Sequence, residues 1–367
     1  MIGTDSHEAR ERVTAARNSP LAAGRPVRAV VYGVGAMGVI MTRLLVEKGA
    51  TIAGAIARSE GKVGRDLGDV AGLGVELGVR VEDDPVAVLA RAEADIAVVA
   101  VSSYLETMFK HFETCLEHGA NVVTIEEESF FPWGTAPALA SVLDELAKRN
   151  GVTIMGSGAQ DVYWLTLPSV LMGAAHRVDS VHGRTTWNVD DYGPEVAQHV
   201  HAGATPEEFE AHLAESGWPS FVVRNTVDAL VADAGLTPAK VETSVGPVIA
   251  SADTPSRTLG RVIGAGRLLG VIDAVTITTD EGPSFTFEQT GAVYGPGQAD
   301  LNEWIVRGEP AELRLRNDRV PTRLATCTQV INRIPDVINA PPGFVTVTEL
   351  PRVRYRHFPL HSYIQRA

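Results

Sequence analysis

Residues 27–64, VRAVVYGVGAMGVIMTRLLVEKGATIAGAIARSEGKVG, constrain this chain more tightly than any other stretch. An apolar run over 27–32 predicts a buried strand, and Gly33, Gly35 and Gly38 mark the turn after it. An apolar-periodic helix to about Lys48 and a second strand over 51–57 then complete a βαβ unit. In such a unit the first glycine permits the tight turn and the second lets backbone approach a pyrophosphate. The third allows close packing of helix on strand. Together with Ala36 and Met37, the turn places the free N–H groups of a helix N-terminus against a dinucleotide.

The end of the second strand bears on which dinucleotide. An acid there would accept hydrogen bonds from a ribose 2′-OH, whereas a 2′-phosphate favours arginine. The chain reads Ala57, Arg58, Ser59, with no acid before Glu60. This predicts NADP in preference to NAD, with Arg58 pairing with the phosphate and Ser59 donating to it.

Beyond this unit, helices and continuous apolar strands keep alternating as far as the strand at 152–155. That is the pattern of a Rossmann-type, doubly wound parallel sheet. Ligands of such sheets sit beyond the carboxyl ends of the strands, which gathers the glycine turn, Arg58, Ser102 with Ser103, and residues 126–128 on one rim. After Gly158 the texture changes. A helix is expected over 161–175, strands over 178–189, 241–251, 271–279, 284–294 and 311–316, and a capping box at Thr205 and Glu208. The whole reads as an α/β chain with a second, α+β domain on an open, mostly antiparallel sheet. The expected division is a flexible arm over 1–26, a dinucleotide-binding domain over 27–158, and a substrate and dimerisation domain over 159–319. Residues 320–367 would form a helix and tail returning to the first domain.

Length and composition fit two ordinary globular cores, at 367 residues with 45% hydrophobic and 21% charged. A net charge of -13 argues against nucleic acid or an anionic membrane as partner. Cys115 and Cys327 are far apart and lack metal-ligand spacing, so reduced thiols, a cytoplasmic location and no metal are expected. His199 and His201 resemble a ligand pair but lack a third ligand in obvious spacing, which favours a surface role. His182 and Asn188 are placed to reach a cleft from the first strand of the second domain, and Asp190 with Asp191 reads as a turn.

The chemistry concentrates in NVVTIEEESFFPW, residues 121–133. A run of glutamates is usually a solvated face. This one follows a buried strand and precedes Phe130, Phe131, Pro132 and Trp133, so burial and mutual repulsion would raise at least one carboxyl into a range useful for proton transfer. In an extended segment Glu126 and Glu128 share a face and Glu127 has the other, and spacing alone does not choose between them.

Several segments resemble the 2,4-diaminopentanoate dehydrogenase-like family, which includes the native amine dehydrogenases. They are GVGAMG, KVGRDLGDVAGLG from Lys62, NVVTI with Glu127, Glu128, Pro132 and Trp133, GSG at 156–158, and INRIPDVINAPPG from Ile331. The cofactor domain of that family is similar to dihydrodipicolinate reductase. The resemblance implies a catalytic glutamate at Glu127 or Glu128, with Glu126 standing where the family has a small residue. It also implies a homodimer and reversible oxidative deamination, in which a small amine yields a ketone or aldehyde plus ammonia. A second departure follows the GSG turn: Gln160, Asp161, Val162 and Tyr163, then Trp164, stand where the family has Asn-Pro-Gly-Phe, implying an altered substrate cavity. Phe131, Gln160, Tyr163, Trp164 and Trp187 are the expected pocket residues. Competing expectations are a related imine reductase, an amino-acid dehydrogenase, and a non-catalytic NADP-binding regulator.

Overall fold

The computed structural model describes residue 11 and residues 25–365. The arm expected over 1–26 lies, apart from Glu11, Arg25 and Pro26, outside the described residues. The chain divides into two compact units, one of residues 1–162 with 324–367 and one of residues 163–323.

In the first unit, β1 (Arg28–Tyr32), α1 (Ala36–Glu47) and β2 (Thr51–Ile56) form the opening βαβ unit. A short α2 (Leu67–Val70), β3 (Val81–Glu82), α3 (Pro85–Ala92), β4 (Ile96–Val99), α4 (Leu105–Glu117), β5 (Asn121–Thr124), α5 (Pro137–Asn150) and β6 (Thr153–Gly156) follow. Late in the chain, β15 (Gly343–Phe344) pairs with β6 in parallel. The sheet order is β15-β6-β5-β4-β1-β2-β3 and every pairing is parallel. The strand order reverses between β1 and β4, the position where open α/β sheets bind their ligands. The central strands have apolar interiors because helices cover both faces; Val30, Val31, Ala97, Val98, Val122 and Val123 are fully buried. Local chemistry sets the helix limits. Asp84 accepts from Ala87 N at 3.0 Å ahead of Pro85, and Gly151 closes α5 in the left-handed region.

The helix expected over 161–175 is instead a π-helical turn, Gln160–Thr166, followed by α6 (Leu167–Met172). Tertiary partners account for the difference. The Val162 N–H donates to Gln329 Oε1 at 2.8 Å rather than to a carbonyl one α-turn back, and Asp161 is held by a buried ion pair.

The second unit contains a six-stranded sheet. Its strands are β7 (Arg177–Asn188), β8 (Pro238–Ile249), β11 (Leu268–Thr279), β12 (Ser284–Ala292), β13 (Leu301–Glu309) and β14 (Glu312–Asp318). Their order is β14-β13-β7-β12-β11-β8, antiparallel except for β12 beside β7. A small ladder of β9 (Thr254–Ser256) with β10 (Arg261–Ile263) and the helices α7 (Pro194–His199), α8 (Pro206–Ser216) and α9 (Phe221–Asp233) complete it. The capping box at Thr205 forms as the sequence predicts, each partner satisfying the other's backbone N–H. Strand β13 was not expected from the pattern, because its helix-covered face carries Asn302 beside Trp304 and its other face Glu303. Helix α10 (Thr322–Asn339) then carries the chain from the second unit back into the first. Among the described residues no helix is long and apolar enough to cross a membrane.

Candidate active site

The glycine turn has the geometry its spacing predicts. Gly33 has φ +100°, and a Cβ there would lie 2.1 Å from Ala100 O, so only glycine fits. At Gly38 a Cβ would lie 1.9 Å from Gly33 O, which fixes how closely α1 packs on the turn. Gly35 differs: nothing lies within 4 Å of the Cβ position, so the backbone there faces open space. No side-chain cap closes α1 at Gly35, and the N–H groups of Ala36 and Met37 stand at the helix's positive end. An open cradle of this kind fits a pyrophosphate. Lys62, which sequence reading left unassigned, donates from Nζ to Val34 O at 2.7 Å and brings a cation to the turn. Arg58 and Ser59 are exposed just past β2.

The three glutamates have three different environments. Glu126 is fully buried and accepts from the N–H groups of Glu128 at 2.7 Å and Ser129 at 2.9 Å, and from the Ser129 hydroxyl. It pins the tight turn after β5, and burial pushes its carboxyl up to about 8 against those donors. Glu128 accepts from Leu105 N at 3.0 Å, so its carboxylate caps α4. Glu127 is partly buried. Its carboxyl is pushed up to about 7 by burial, opposed by a hydrogen bond from the Ser103 side chain. Tyr104 is close enough that Glu127 and Glu128, after burial, raise its phenol. Gln160 Nε2 lies 3.4 Å from Glu127 O. Ser102, Ser103, Glu127, Phe131 and Gln160 thus all lie in the first unit, beyond the ends of β4, β5 and β6.

Behind this rim lies a charged network that sequence reading missed. Asp161 and Arg333, both fully buried, form a two-pronged pair at 2.7 and 2.9 Å, and Ser157 Oγ donates to Asp161 at 3.0 Å. Asp336 links Arg333 to Arg356, at 3.6 and 2.6 Å. The Arg in INRIPD was the available signal, but only the tertiary structure supplies its partner.

A family model described as the 2,4-diaminopentanoate dehydrogenase C-terminal domain matches residues 165–357. The solved structure of amine dehydrogenase from Mycobacterium smegmatis is 52% identical, with a TM-score of 0.86, covering 90% of this chain and 97% of that one. The chain belongs to the 2,4-diaminopentanoate dehydrogenase family. It is therefore an oxidoreductase acting on an amine donor. The 2,4-diaminopentanoate dehydrogenase of Acetoanaerobium sticklandii is 29% identical over 339 residues, 89% of this chain and 93% of that protein. At 14% identity and a TM-score of 0.58, scyllo-inositol dehydrogenase from Lactobacillus casei, solved with NAD(H), shares the fold; 86% of this chain and 88% of that one are covered.

The remaining residues expected at the pocket of this family member lie in its second unit. Trp164 is buried and packs on Phe287 with centroids 5.2 Å apart, and Phe287 stacks on Trp304. Trp304 Nε1 donates to Tyr163 O at 2.7 Å. Trp187 lies over Gly291, and its Nε1 has no hydrogen-bond partner. The same face of the sheet carries a polar rung in register, Asn317, Asn302, Thr185, Gln289 and Asp273. Both polar atoms of the buried Asn302 side chain lack partners. His182 lies 3.4 Å from Glu288 on the opposite face of β7. His201 packs on His212 with centroids 4.4 Å apart, and Asp190 accepts from Ser256 Oγ and Arg257 N. Among the described residues no group of three or more potential ligands converges on a metal position.

Proposed function

We propose that this chain is an NADP-dependent amine dehydrogenase that interconverts a small amine with a ketone or aldehyde plus ammonia, with Glu127 as the acid–base residue. The observation that carries the reading is the separation of the three carboxylates. Glu126 and Glu128 are occupied in holding the backbone, whereas Glu127 is tuned to about 7 at the end of β5.

Gly33, Gly35, Ala36, Met37 and Gly38 would hold the pyrophosphate, Arg58 with Ser59 the 2′-phosphate, and Ser102 the adjoining cofactor. When bound, NADP would supply the hydride acceptor for oxidation of the amine-bearing carbon and, in its reduced form, the hydride donor for the reverse. In oxidation, water then replaces nitrogen, so amine, NADP⁺ and water yield carbonyl compound, ammonia, NADPH and a proton. Ionised Glu127 accepts a proton from the substrate ammonium, releases it to solvent, and as a carboxylate again balances the positive charge of the iminium that water attacks. Ser103 orients that carboxylate and favours its ionised form. Phe131 and Gln160, beyond the ends of β5 and β6 in the first unit, would border the substrate beside Glu127.

We assign dinucleotide binding to the first unit, and substrate binding with homodimerisation to the second, whose sheet has a long, largely exposed edge strand in β8. A cytoplasmic location agrees with two buried cysteines that form no disulfide.

The test is NADPH oxidation with a panel of small ketones and aldehydes, with and without high ammonium at alkaline pH. Consumption requiring both carbonyl and ammonium is expected. Consumption without ammonium would make the protein a carbonyl reductase instead.

A further inference from the structure

Tyr32 OH and His111 Nδ1 are 2.7 Å apart, with the rings edge-on. Tyr32 is the last residue of β1, directly before Gly33, and His111 lies in the second turn of α4, the helix after β4. Arg58 stands two residues past β2. Since β2, β1 and β4 are neighbours, all three groups meet where the dinucleotide turn lies. The positive charge of Arg58 acts on both partners: it opposes burial at Tyr32, whose phenol still reaches about 12, and adds to burial in lowering His111.

The arrangement leaves the imidazole neutral at pH 7 but equipped for protonation. The neutral ring accepts the Tyr32 hydroxyl proton at Nδ1. The protonated ring donates from the same atom to the phenol oxygen, so the contact survives in either state. The groups facing His111 are Tyr32 from β1 and Arg58 after β2. One turn further along α4 is the Cys115 thiol, kept protonated by burial.

We propose that His111, held by Tyr32, is a second cationic group of the 2′-phosphate subsite and takes up a proton from solvent when the phosphate binds at Arg58. This rests on the NADP reading above. Burial is the main cause of the neutral imidazole, and Arg58 adds to it. A phosphate dianion paired with Arg58 offsets that second contribution and by its own negative charge favours the imidazolium. By reciprocity, the imidazolium then strengthens phosphate binding. NADH carries no such phosphate and has no such coupling.

Calorimetric titration of the full-length protein with NADPH and with NADH, at pH 7 in two buffers of different ionisation enthalpy, counts the protons taken up. His111→Gln and Tyr32→Phe are measured alongside, and Kd is followed from pH 6 to pH 8.5. Wild type is expected to take up more proton per NADPH than per NADH, and more than either variant. Its NADPH affinity should rise more steeply as pH falls, by at most about tenfold per pH unit for one linked proton. The phosphate's own ionisation near pH 6 is common to all three proteins and cancels in the comparison. Equal uptake by wild type and variants overturns the role of His111 while leaving the NADP preference standing. NADPH binding no tighter than NADH at every pH overturns that preference itself. If His111→Gln does not fold, His111→Asn, which likewise cannot be protonated, takes its place in the comparison.

Discussion

Replacing Glu127 by glutamine keeps size and hydrogen-bonding capacity but removes the ionisable oxygen, so it isolates proton transfer. With the carboxyl at about 7, about a tenth is ionised at pH 6 and about nine tenths at pH 8. Amine oxidation needs the ionised form, so kcat/KM in that direction should climb about tenfold over this interval. The substrate ammonium titrates near 10 and adds a separate, higher limb. Glu127→Gln should lose the lower limb and fall by roughly 10²- to 10⁴-fold, about 2.7–5.4 kcal/mol of barrier. Ser103→Ala removes a hydrogen bond that favours the carboxylate, so its lower limb should move to higher pH with the plateau retained. Glu128→Gln retains an acceptor for Leu105 N and should keep the limb. The assay is initial NADP⁺ reduction across pH 5.5–10 with one amine. A Glu127→Gln enzyme that retains the limb and its turnover, beside a Glu128→Gln enzyme that loses both, would refute the assignment.

Arg58→Ala should weaken NADPH binding by about 10- to 100-fold, as expected for losing a hydrogen bond to a charged group, while NADH binding changes little; fluorescence titration of both cofactors decides. Arg333→Met leaves Asp161 as an uncompensated buried charge and should cost about 3–5 kcal/mol, read as a lower urea midpoint for the first unit. Asn302→Leu removes two buried polar atoms without partners and should stabilise the second unit by about 1–3 kcal/mol. A lower unfolding midpoint for this variant would mean the amide is satisfied by a buried water.

Much of the first unit was legible from the sequence alone. Continuous apolar strands and the glycine spacing are local features, and the backbone must express them. The capping box at Thr205 is legible for the same reason, since it closes on itself within four residues. The run at 126–128 marked a candidate site but not the environment of each carboxylate. Glu128 is defined by Leu105 and Glu127 by Ser103, both more than twenty residues earlier in the chain. Likewise 160–172 carries a helical pattern, yet Gln329 and Arg333 take its groups and leave a π-turn at Gln160–Thr166. Periodicity records which face a residue presents; which distant donor or charge meets it there is decided only when the strands come into register.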